Sequence, residues 1–70
     1  MEKYKEFKKI PLTPYFWIVI RNELPIGFVI RGLNSIHHVY DTDFTQVMNN
    51  LPSMLSAYNS FIKAVSEQNL

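Results

Sequence analysis

The chain contains no cysteine. Disulfides and thiolate metal sites are excluded, and with them two common supports of a small domain. Glycine occurs only at Gly27 and Gly32, so no glycine-rich loop is available to cradle a phosphate. Charge is sparse: seven Lys and Arg stand against six Asp and Glu, a net charge of +1. Nucleic-acid-binding domains usually carry a strongly basic balance, which this composition lacks. No apolar run approaches the roughly 20 residues of a membrane span. The opening MEKYKEFKKI has no apolar core of the signal-peptide type. These absences lead to the expectation of a cytoplasmic protein that needs no cofactor.

What is present is apolar surface. Hydrophobic residues make up 47% of the 70 positions and aromatics 14%. A chain of this length forms one domain, residues 1–70, and buries only about 60% of its unfolded surface. Stability must then come from an unusually apolar core or from association with another chain.

Residues 1–14 read as a basic lead-in. It carries Lys3, Lys5, Lys8 and Lys9, and Tyr4, Phe7 and Ile10 recur every three residues, which suits a short helical or extended segment. Pro11 and Pro14 interrupt regular structure after it. Residues 15–41 read as a three-stranded antiparallel sheet. Tyr15–Arg21 is a run of β-formers, Ile26–Arg31 a second, and Ile36–Tyr40 a shorter third. Asn22-Glu-Leu-Pro25 and Gly32 with Asn34 supply the turns.

Residues 43–66 read as one long helix. Asp43 and Gln46 have the spacing of a capping box. Phe44, Val47, Met48, Leu51, Met54, Leu55, Tyr58, Phe61, Ile62 and Val65 then follow at intervals of three and one, the stripe of an amphipathic helix. Pro52 falls inside it. Either the helix kinks near Met48, or one helix ends near Asn50 and another begins with Pro52 in its first turn. The unbroken phase favours the kinked helix. The expected class is α+β: a three-stranded sheet packed on one long C-terminal helix.

Strand alternation then exposes a surplus. Phe16, Ile18 and Ile20 share one face of the first strand; Tyr15, Trp17 and Val19 share the other. One helix covers one face. If it covers Phe16, Ile18, Ile20, Phe28 and Ile30, then Tyr15, Trp17, Val19, Val29 and Arg31 are left as a contact face. Three covers are open: the lead-in segment folded back, a second copy of the chain, or a foreign macromolecule.

Catalytic parts do not assemble from these residues. The carboxylates are scattered, and Ser35, Ser53, Ser56, Ser60 and Ser66 sit in no nucleophile-elbow pattern. His37 and His38 are adjacent on a strand and point to opposite faces, so they cannot share one metal ion. The basic residues Lys3, Lys5, Lys8, Lys9 and Arg21, with Arg31, are candidates for phosphate contact. The polar side of the expected helix is nearly uncharged (Asn49, Asn50, Ser53, Ser56, Asn59, Ser60), which suits packing against protein.

The β-β-β-α order resembles three small folds. One is the three-stranded, helix-backed DNA-binding domain of integrase N-termini and plant DNA-binding factors, which implies a basic reading sheet; here Arg21 and Arg31 occupy an otherwise apolar one. With residues 1–10 counted as a helix, the order resembles a double-stranded-RNA-binding domain, whose last helix opens on lysines where this chain has Asp43-Phe-Thr-Gln46. Gly32-Leu33 and Asp41-Thr42 resemble the turns of HicB-like antitoxins, without their Pro-Asp-rich turn. The expectation is a non-catalytic binding protein: a homodimeric regulatory or inhibitory protein of the kind phages and mobile elements encode. The alternative is a weak nucleic-acid-binding module that uses the basic segment with Arg21 and Arg31.

Overall fold

Runs of β-branched and aromatic residues from Phe16 to Arg31 fold as expected into a hairpin, but that hairpin lies within a larger sheet. The computed structural model describes residues 6–68. It shows β1 Phe7–Thr13, β2 Phe16–Arg21, β3 Leu24–Arg31, β4 His37–Asp41, β5 Gln46–Leu51 and α1 Met54–Gln68. The sheet has five strands in the order β1-β2-β3-β4-β5, every pair antiparallel. The class is α+β; the expected three-stranded sheet and the β-β-β-α order behind the three resemblances are overturned.

Two segments account for the difference. The second half of the lead-in, expected as helical or extended, is the strand β1. Pro11 is tolerated because β1 is an edge, where a missing N–H breaks no ladder bond. Tyr4 lies outside the described residues. The second segment, residues 46–51, is a strand rather than the first half of a helix. Asp43 caps no helix, and the side chain that organises this turn is Asp41. Its Oδ1 accepts hydrogen bonds from the backbone N–H of Asp43 at 2.9 Å and of Thr45 at 3.0 Å. That closes a turn and sends the chain back along β4. Helix and strand compete for Val47, Met48 and Leu51, and the two places where β5 carries an extra residue against β4 hide the alternation of a strand.

Pro52 thus ends a strand and kinks nothing. The helix begins two residues later, capped by Ser53, whose Oγ accepts from the Ser56 N–H at 3.0 Å. The turn between β2 and β3 is tighter than expected. Asn22 (φ 51) and Glu23 (φ 73) alone bridge Arg21 and Leu24, the two-residue turn that matches strand twist.

The core lies between the sheet and α1. Val19, Val29 and Val39 are fully buried against Ala57, Tyr58, Phe61 and Ile62. The helix approaches closely because β3 has no side chain at Gly27. A Cβ there would stand 2.8 Å from two Phe61 ring carbons and 2.6 Å from the Tyr40 carbonyl oxygen. Gly27→Ala should therefore destabilise the protein by about 1–3 kcal/mol, seen as a lower urea midpoint; an unchanged midpoint would show that Phe61 does not rest on β3.

Burial also pushes the Tyr58 phenol above its ordinary value. The unfolded chain then ionises first as pH rises, so this contribution is complete below about pH 10 and is lost above it. Tyr58→Phe should show a shallower loss of stability than the parent in urea titrations between about pH 9 and 11.

Candidate interaction surface

Register decides which side chains share a face, because directly opposed residues in an antiparallel pair point the same way. On the α1 side one row runs Pro11, Trp17, Val29, Val39, Met48, and the next runs Lys9, Val19, Gly27, Asp41. On the opposite side a row crosses all five strands: Ile10, Ile18, Phe28, Tyr40, Gln46. Beside it run Thr13, Phe16, Ile30 and His38. A shorter row holds Lys8, Ile20 and Pro25.

The helix therefore covers the face that was expected to stay free. Val19 and Val29 are 0% exposed, and Trp17 packs against the same core. Tyr15 is exposed but lies under the Arg31 guanidinium, 5.5 Å from its ring centre. Arg31 also donates to Ser35 Oγ at 2.9 Å. Of the expected contact residues, Val19 and Val29 belong to the core, Trp17 to its margin, and Tyr15 with Arg31 to a local pair. The choice of face follows from size. Valines and a glycine leave a shallow floor into which Phe61 fits, whereas the Phe and Ile side would hold the helix off.

The open face is the stronger candidate. Phe16 and Phe28 meet edge to face at 5.5 Å. Phe44, at the tip of the β4–β5 turn, stacks flat on Phe28 at 4.9 Å and 7°. Phe44 is 61% exposed and holds φ at 62°, a backbone region that bulky residues avoid. Glycine or asparagine would fit that turn position with less strain. A phenylalanine there extends the aromatic surface at a conformational cost. Phe16, Ile18, Ile20, Phe28 and Ile30 on this face are only half-buried, and no element among the described residues crosses them. Five strands about 4.8 Å apart and about six residues long give a footprint near 500 Å². Free patches on soluble monomers rarely exceed roughly 300–600 Å². Covering this one is worth on the order of 10 kcal/mol before association costs.

Charge is scarce on this face and accounted for around it. Lys8, in its corner row, is 3.8 Å from Glu23. Arg21 pairs with Glu6 at 3.4 Å and lies over the Phe7 ring. Lys9 reaches across the helix side to the Tyr58 ring at 4.6 Å. Lys3 and Lys5 lie outside the described residues. The two sheet edges are poor templates for another strand: β1 carries Pro11 and an extra residue at Leu12, and β5 carries its two irregularities.

The histidines diverge as their adjacency dictates. His37 is buried on the helix side, its ring 5.9 Å from that of Trp17 and its Nδ1 3.0 Å from the Ser35 carbonyl oxygen. His38 lies on the open side with its ring edge against Gly32. Its Nδ1 is buried and has no hydrogen-bond partner. Among the described residues, no group of three His, Asp or Glu could hold a metal ion. No helix among the described residues is long and apolar enough to cross a membrane.

Comparison with known proteins adds nothing to this geometry: no family model matches the chain, and no curated protein or solved structure does so.

An unpartnered buried nitrogen costs stability that an apolar side chain would not. His38→Leu should leave the protein as stable as the parent or raise it by about 1 kcal/mol in urea unfolding; a clear loss would show that the imidazole is satisfied.

Proposed function

We propose that this chain is a small non-catalytic binding protein, regulatory or inhibitory in kind, that acts in the cytoplasm by protein–protein contact through the open face of its sheet. The observation that carries the reading is the row Ile10, Ile18, Phe28, Tyr40, which crosses four adjacent strands with no element among the described residues over it and is extended by the Phe44 ring. Depletion of charge with enrichment of aromatic residues is the composition of a protein–protein contact centre. An acid–base pair or a metal centre needs converging polar groups, whereas His37 and His38 point to opposite sides of the sheet.

The nucleic-acid reading has less support. Single-stranded nucleic acid is held by aromatic platforms interleaved with cations that meet its phosphates. Here, among the described residues, the aromatic face has one lysine in its corner, while Arg21 and Arg31 are engaged with Glu6 and Ser35.

Photocrosslinking tests the proposal in cells. A benzophenone amino acid in place of exposed Phe44 should yield adducts with protein, and the same group in place of exposed Glu67 on α1 should not. Adducts sensitive to nuclease, or no protein adduct from position 44, would overturn it.

A further inference from the structure

The open face raises the question of its occupant, and three features of the structure bear on it. The first is size. A footprint near 500 Å² on each of two molecules removes about 1,000 Å² or more from water, the lower limit for a specific interface. The second is charge. Two copies brought face to face about a two-fold axis juxtapose only uncharged rows at the centre, and Lys8, the one charged side chain in these rows, lies in the corner beside Glu23. Among the described residues a charged partner would find only Lys8, already beside Glu23, to match. The third is need. Among the described residues only eight apolar side chains are buried, and the three large ones that are fully enclosed are all valines. The larger Phe and Ile side chains of β2 and β3 sit on the other side of the sheet. A second layer against that side would give the protomer the interior it lacks.

Resting on the reading of this face as a contact surface, we infer that its occupant is a second copy of the chain, packed sheet on sheet. The assembly is a four-layer helix–sheet–sheet–helix sandwich. The two sheets lie about 10 Å apart and about 30° from parallel, as twisted sheets do when they pack. Ile18 and Phe28 lie near the two-fold axis, and the Phe28–Phe44 stack fills space beside it. The interface is isologous: the same rows meet from both sides. The pairing uses faces rather than edges because Pro11 on β1 and the irregular register of β5 leave neither edge a regular ladder.

Sedimentation equilibrium of the full chain, from about 0.1 to 100 μM, is the test. The expected result is a mass of twice 8.3 kDa that falls toward 8.3 kDa on dilution. Ile18→Glu should shift the association at least tenfold toward the monomer. Phe44→Gly serves where Ile18→Glu fails to fold, since it relieves a strained turn while removing one interface ring. Leu55→Glu, at an exposed position on α1, should leave the association unchanged. A parent that stays at 8.3 kDa throughout overturns the inference, as does dissociation by Leu55→Glu but not by Ile18→Glu or Phe44→Gly. If the parent is monomeric and a variant lacking residues 1–5 dimerises, the leading segment is the cover and the inference fails. Monomeric behaviour with foreign-protein adducts from position 44 refutes the second copy and leaves the contact function standing. Monomeric behaviour without adducts refutes both.

Discussion

A single helix can bury one side of a sheet. Every feature of this protein follows from how that limit is met. α1 has fifteen residues, and the meander beneath it has five strands, each with two faces. The helix settles where it can come closest, over Gly27 and the three valines, and the Phe61 ring takes the place of the missing glycine side chain. Close approach is obtained where the floor is small, at Gly27, Val19 and Val29, with Trp17 kept to the margin and Phe16, Ile18, Phe28 and Ile30 on the other side. The small residues of the core and the large residues of the open face are one design choice seen from two sides.

The central strands were legible because runs of branched and aromatic residues admit few alternatives. Their ends agree with the structure to within one or two residues. β1 and β5 were hidden for different reasons. Pro11 reads as a breaker until the strand is known to be an edge, and edge status depends on the whole topology. In β5, Val47, Met48 and Leu51 keep helical spacing while the extra residues on that strand erase the period of two. Local pattern supported the wrong element there, and only the turn built on Asp41 distinguishes the two readings.

The apolar surplus was also legible, since both sides of β2 are greasy. Its side was not. Alternation places Trp17 with Val19 and Phe16 with Ile18, but it does not say which set a helix prefers. Two signals in the chain bear on it. Gly27 interrupts an apolar strand, which marks close approach of another element. Val19, Val29 and Val39 also recur at ten-residue intervals, the repeat of a meander whose strands keep a common floor. Taken together they place the helix over the valines and leave Ile18, Phe28 and Ile30 outside. Phe44 gives no comparable signal, because its position on the face depends on a left-handed backbone angle that spacing cannot reveal.

The interrupted borders of the sheet have a consequence for higher-order assembly. A greasy lamina whose margins could also accept strands would grow in two directions and end as a fibre. Proline in one outermost strand and slipped register in the other close off lateral growth. Any stacking of the broad side is then consumed in one step, since the helix already occupies the reverse. Such borders favour finite particles over fibres wherever an apolar sheet side is left open.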